Sequence, residues 1–388
     1  MDALPHLIRA SRAGTIALLI LCAPAALPAQ AISAELVETG TAHPISGALA
    51  ILLSGPTPTG VSSVTDERGR FYLKAPGAGA YRLRVLRIGF PEWVSDTIRL
   101  ASAQVLRLHL ELPVVPVQLN EIVVESKSPC RVDPARNEGT ATLWEEARKA
   151  LDFTSMTISR KELGYRMMIR RASLDRSLQV TKFESFVRKG VAEWPVSTLA
   201  PDSLALEGYV QPRDSAQGPI YYGPDATVLF SESFLGSHCF RTEKSLQPGT
   251  GLIGLAFEPV RDRELPDIEG VLWLDRKTAE LRYLSYHYTK LWSWVPAGEA
   301  GGRIDFLRLP TGAWIVRRWN LRAPIVTLSR SEFGQRRFDA SELRFFGHSR
   351  PSLFGFKEEG GEVTEVTDAK GKVIWAPALP SSSGATGS

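Results

Sequence analysis

The sequence predicts a mainly β protein: a seven-stranded β-sandwich first, then a larger antiparallel β-rich domain that carries a helix. Three observations predict it. Short segments of alternating apolar and polar residues recur at intervals of about ten residues between Glu35 and Leu112, a sandwich pattern. A second series of strand-like segments runs from Tyr165 to Leu321, and after Ile268 its connections are short, as in an antiparallel meander. Between the two, Leu143, Ala147, Ala150 and Leu151 repeat at helical spacing.

Bulk composition fits that class. A chain of 388 residues, 44% hydrophobic and 23% charged, has the proportions of a protein that buries a core, and its length allows two or three domains. Lys+Arg 46 against Asp+Glu 42 leaves a net charge of +4, so nucleic-acid binding has no global electrostatic signature.

The first segment, residues 1–31, reads as a secretory signal peptide. Arg9 and Arg12 precede an apolar run from Gly14 to Leu27, and Ala29-Gln30-Ala31 supplies a small-x-small cleavage pattern. The run is roughly 14 residues where a membrane span needs about 20. Cys22 raises a lipoprotein alternative, against which stands Leu21 where a small residue is expected. Export would place the protein in the periplasm, at the outer-membrane periphery or outside the cell. In such a compartment the two remaining cysteines, Cys130 and Cys239, are expected to form one disulfide. Two unrelated buried thiols are the other reading.

The sandwich, residues 32–115, can be followed strand by strand. Ala48 to Leu53 is one strand, and a turn at Asp66 with Gly69 leads into Phe71-Tyr72-Leu73. After Pro76-Gly77, the segment Tyr81 to Val85 places Tyr81, Leu83 and Val85 on one face and two arginines on the other. Val105 to Leu110 closes the module. The order Pro44-Ile45-Ser46-Gly47-Ala48, Thr65-Asp66 with Gly69-Arg70-Phe71, Pro76-Gly77 with Tyr81-Arg82-Leu83, and Ile88-Gly89-Phe90 resembles the carboxypeptidase regulatory-like domain. That resemblance implies a transthyretin-like sandwich of the carbohydrate-binding-like group and says little about activity.

Residues 116–140 read as a linker, and Val114 to Val124 is similar to the segment that follows such a sandwich in TonB-dependent outer-membrane receptors. The residues left cannot supply the large barrel of those receptors. The β-rich domain, residues 141–375, opens with a helix capped by Thr142 and continues in strands at Tyr165–Arg171, Val180–Val187, Leu252–Glu258, Val271–Asp275, Leu281–Tyr288, Ile304–Leu309 and Trp314–Leu321. The segments Pro266–Asp275, Gly302–Phe306 and Gly312–Val316 resemble secreted bacterial proteins that pair a regulatory-like sandwich with a β domain, and more distantly the open half-barrel of periplasmic lipoprotein carriers. Residues 376–388 read as a disordered tail.

No catalytic constellation emerges. The mature histidines His43, His109, His238, His287 and His348 all lack a glutamate three positions on, which argues against a zinc carboxypeptidase site. No Gly-x-Ser-x-Gly elbow and no phosphate loop occurs, so no catalytic residue, metal or cofactor is assigned. Asp66 and Glu67 beside Arg68 and Arg70 suit a solvated hairpin tip better than a calcium cage.

What stands out is aromatic. Five of nine tryptophans fall between Trp273 and Trp319, with Trp292-Ser293-Trp294 placed between strands as the best candidate for exposure. Trp292, Trp294, Tyr286, Trp314 and Arg317 are the candidate ligand-binding residues, in a groove suited to a glycan or lipid-like ligand. Core packing is the competing reading and the favoured one. Arg303, Arg308, Arg317, Arg318 and Arg322 likewise fit a solvated sheet face or an anionic ligand. The resulting expectation is a non-enzymatic exported cell-envelope protein that binds a glycan, a lipid-like ligand or an outer-membrane protein partner. Its alternatives are a hydrolase assembled from His238, His287, Asp305 and His348, and a structural adhesion or scaffold module.

Overall fold

The computed structural model describes residues 30–113, 115–117, 119, 138–212, 218–245, 249–329, 344–346 and 350–378. Residues 1–29 of the expected signal peptide, Cys130, His348 and the tail from 379 lie outside the described residues, whereas Ala31, expected to be its last residue, is buried at the start of the first strand.

The sandwich has two sheets. One holds β1 (Ala31–Glu38), β4 (Arg70–Lys74) and β8 (Val105–Leu112) in the order β4-β1-β8, with β1 parallel to β8. The other is built from β2 (Leu49–Ser54), β3 (Thr57–Val64), β5 (Gly79–Leu86) and β6 (Trp93–Val94) in the order β3-β2-β5-β6, with β7 (Ile98–Leu100) also on β5. Eight strands thus replace the seven expected, because the chain after β5 breaks into two short pieces that both pair with it. Alternation drives the packing: Ile32, Ala34 and Leu36 from β1 meet Leu52, Leu83 and Val85 in one core. Buried Thr65 ties the first hairpin, donating to the Ile45 carbonyl at 2.7 Å and accepting from Ala48 N at 2.9 Å. Asp66 accepts from Arg68 N and Arg70 N, closing a polar turn that carries the chain from β3 in one sheet to β4 in the other, not the hairpin tip expected.

Helix α1 (Glu138–Arg160) starts four residues before Thr142, which lies inside it. Thr140, in the first turn, is buried with its hydroxyl 3.3 Å from Thr242. The predicted stripe of Leu143, Ala147, Ala150 and Leu151 is buried and joined by Phe153.

The second domain is one open antiparallel sheet. The hairpin β9 (Gly164–Leu174) and β10 (Val180–Val191) forms one end of it. The chain then crosses through α2 (Pro201–Glu207), a small β11 (Val210–Gln211) and β12 (Ile220–Tyr221) ladder, α3 (Ala226–Leu229) and α4 (Glu232–Ser237). From the far edge it meanders back as β13 (His238–Lys244), β14 (Leu252–Pro259), β15 (Asp267–Asp275), β16 (Leu281–Thr289), β17 (Gly301–Arg308), β18 (Trp314–Ser329) and β19 (Arg350–Thr367), with β20 (Val373–Trp375) on β19. The order is β10-β9-β19-β18-β17-β16-β15-β14-β13, and the end strands do not pair with each other. Helix α1 packs against β13 to β16 and β18, so apolar side chains from α1 and these strands share one core.

Candidate functional site

The sandwich and the sheet are joined through α1. Glu146 Oε2 accepts the Gly89 backbone N–H at 2.7 Å, Lys149 Nζ donates to the Phe90 carbonyl at 2.7 Å, and the two side chains pair with each other at 2.6 Å. Both are buried. Burial lifts the Glu146 carboxyl above its ordinary value, opposed by the Lys149 ammonium. A second contact brings two turns together: Gly312 sits against Gly47 so closely that a Cβ there would lie 2.5 Å from the Gly47 Cα, and Arg308 donates to the Ser46 carbonyl at 3.1 Å. Leu49 and Leu86 of the sandwich enter the same core as α1 and the large sheet.

This junction leaves a cleft of about 620 Å³, within the usual range for ligand pockets. Its walls come from the sandwich (Arg84, Pro91), from α1 (Trp144, Arg148) and from α4 (Leu235). Its charges are matched locally: Arg84 meets Glu92 at 2.7 Å and Arg148 meets Glu145 at 2.7 Å. Arg148 also lies over the Trp144 ring, 5.5 Å from its centroid. Two N–H groups in the wall, Arg84 Nε and Trp144 Nε1, are shielded from water and have no hydrogen-bond partner among the described residues. Such donors cost about 1–3 kcal/mol each, so the wall carries unused hydrogen-bonding capacity.

The residues expected to bind ligand lie elsewhere. Trp292 is 6% exposed, stacked on Trp294 with ring centroids 5.3 Å apart and planes at 5°, and covered by Phe345 and Phe346. The exposure expected of the Trp292-Ser293-Trp294 segment is therefore corrected: Trp292 is core and Trp294 is half-buried beside it. Tyr286 is buried on the inner face of β16 beside Tyr288, whose hydroxyl donates to the Tyr222 carbonyl at 2.9 Å. Burial pushes the Tyr286 phenol up. Trp314 is buried at the start of β18. These rings fill a core.

Arg317 is the extra residue of a β-bulge, because Asp305 pairs with Arg318 while Phe306 pairs with Val316. The arginine cluster is also largely neutralised. Arg303 meets Asp305, Arg318 meets Glu362, Arg322 meets Glu299 and Glu358, and Arg308 lies 3.9 Å from Glu280. A smaller groove of about 340 Å³ on this face is bordered by Arg303 and Arg318 together with Arg170 and Arg171.

Nor do His238, His287 and Asp305 of the hydrolase reading come together, and His348 lies outside the described residues. His287 pairs with Glu269 at 2.5 Å, whereas Asp305 stands opposite Tyr283, four residues back along β16 and so roughly 13 Å away. His238 is on β13, three strands from β16. It does sit in a Ser-His-Asp row, with Ser237 Oγ 3.1 Å from Nδ1 and Asp267 Oδ1 3.2 Å from Nε2. No space for a water molecule adjoins it, Ser237 Oγ donates to the Ser233 carbonyl at 2.7 Å, and Asp267 is held by Arg263, which also bonds the last carbonyls of α2. Among the described residues no three His, Cys, Asp or Glu side chains cluster as a metal site would need. Cys239 lies on β13, and its expected partner Cys130 is outside the described residues.

The fold and this junction define a β-sandwich seated through one helix on an open antiparallel sheet. Residues 31–113 match the family model of the carboxypeptidase regulatory-like domain, so the chain carries that domain. No curated protein matches the chain. Among solved structures, a 9R-lipoxygenase from Cyanothece is similar at 12% identity, over 67% of this chain and 39% of that one, with a TM-score of 0.19. So low a score carries no argument about fold or function.

Proposed function

We propose that this chain is an exported, non-enzymatic binding protein of the cell envelope whose ligand is a glycan held in the cleft between the sandwich and α1. The observation that carries this reading is the cleft itself: about 620 Å³, with Trp144 in its wall beside ion pairs that are already satisfied. An aromatic face next to locally neutral, hydrogen-bonding side chains suits an uncharged polyhydroxyl ligand, since sugar rings stack on indoles and their hydroxyls bond charged forks. An acyl chain would face Arg84, Glu92, Glu145 and Arg148 and leave them poorly solvated. The non-enzymatic part of the proposal rests on the dispersal of His238, His287 and Asp305. Titrating the mature protein with cell-envelope oligosaccharides and with phospholipid vesicles, by calorimetry, tests it. Saturable oligosaccharide binding that weakens at least tenfold in Trp144→Ala is expected. Binding to vesicles alone, binding indifferent to Trp144→Ala, or turnover of the oligosaccharide would each defeat the proposal.

A further inference from the structure

Strand β10 ends the large sheet, and among the described residues it pairs only with β9. All twelve of its residues are exposed, on both faces. Phe183 and Val187 are 59% and 51% exposed, Phe186 is 40% exposed, and Val180 and Val191 are also open. No proline interrupts the strand. A long edge with exposed apolar residues is one that proteins normally cover, since its free N–H and C=O groups template further pairing.

The sequence of β10 says what fits there. A second copy of the same strand, antiparallel about a two-fold axis perpendicular to the sheet, pairs residues that face the same side. Centred on Phe186, that arrangement sets Phe186 against its twin and Glu184 against Arg188 of the second copy, twice by symmetry. Lys182 then meets Gly190, and Lys189 lies along Phe183. No like charges are opposed. Centring on Ser185 would oppose Lys182 and Arg188, while centring on Glu184 or Arg188 would oppose that charge to itself. Within one chain Glu184 lies 3.9 Å from Arg171, whose other partner is Glu359 at 3.2 Å, so Glu184 sits at the outer end of an alternating row that Arg188 of a second copy would extend.

We propose that the protein forms a symmetric dimer by edge-to-edge pairing of β10 with β10, in the register centred on Phe186. The interface is far along the sheet from the α1 cleft and does not depend on the ligand proposal. Sedimentation velocity on the mature full-length protein, up to about 200 μM, reads the outcome. The wild type is expected to dimerise. Arg188→Glu opposes two pairs of like charges and should raise the dimer dissociation constant at least tenfold, as should Glu184→Arg. The double variant E184R/R188E should restore it to near the wild-type value. Arg188 is exposed, so Arg188→Glu keeps the test clear of folding effects, with circular dichroism as the check. A wild type that is monomeric throughout overturns the proposal, as does a dimer that ignores the single substitutions or is not restored in the double variant.

Discussion

Glu146 accepts a hydrogen bond from the backbone of Gly89 at 2.7 Å, and through it a turn residue of the sandwich motif becomes the anchor of the helix that organises the second domain. Gly89 takes φ +81°, and a Cβ there would press on the Thr278 carbonyl at 2.9 Å, so the same residue also touches the turn between β15 and β16. Val117 N donates to the Gly89 carbonyl at 2.8 Å. Residues that serve the family as turn formers here hold three segments together.

The Glu146–Lys149 pair should dominate this joint. Removing one member of a buried pair leaves the other uncompensated, and Glu146→Ala is expected to cost about 3–5 kcal/mol. The joint E146L/K149M substitution should cost less, because no charge is stranded. A pH signature accompanies it. Burial raises the Glu146 carboxyl above its ordinary 4.5 in the folded protein. A group raised on folding contributes stability that is fully present below its unfolded pKa and is lost as pH rises through the folded value. The margin of wild type over Glu146→Gln should therefore narrow as pH rises from about 4 towards neutrality, read as urea midpoints. A margin that widens over that range contradicts this account.

The turn-to-turn contact gives an independent handle. Gly312 has φ +85°, and its missing side chain is what lets Gly47 approach. Gly312→Ala is expected to destabilise by about 1–3 kcal/mol through backbone strain, with the clash against Gly47 added. Gly40→Ala is the control, since Gly40 has φ +83° with open space around it and so isolates the backbone part. Equal losses of thermal stability in the two variants would show that the contact does not matter.

Much of this architecture was legible because it rests on alternation. β5 from Tyr81 and β16 from Leu284 show apolar residues at every second position, and both strands appear where expected. β19 was missed because Glu358, Glu359, Glu362 and Glu365 hide that alternation. It is a strand because arginines on both neighbours answer them: Arg322 and Arg318 from β18, Arg171 and Arg166 from β9. Helices α2 to α4 run four to seven residues, too short for helical periodicity to show. At the candidate site the gap was wider. Trp144 lies beside the helix stripe of Leu143, Ala147, Ala150 and Leu151, and its cleft exists because the sandwich docks beside it, which no local pattern encodes.

The proposed Cys130–Cys239 bridge predicts that the exported protein, denatured without reductant, exposes no reactive thiol, and that reduction exposes two. A loop of about a hundred residues would be worth up to about 4.7 kcal/mol in the chain-entropy model, so reduction should also lower the melting temperature. Two thiols found before reduction would remove the bridge.

The burial of Trp292 makes a last, quantitative claim. Its ring is packed by Trp294, Phe345 and Phe346, with centroids 4.7 to 5.3 Å away. The cover is supplied by residues some fifty positions later in the chain, which is why a loop that looked open is closed. Removing a buried tryptophan costs both its transfer free energy and a cavity, and Trp292→Ala is expected to lose about 3–5 kcal/mol. Phe346→Ala should uncover the same ring, shifting tryptophan emission to the red and raising acrylamide quenching. If Trp292 were instead a ligand-contacting surface residue, Trp292→Ala would leave stability within about 0.5 kcal/mol of wild type. A urea titration of the two variants separates these outcomes.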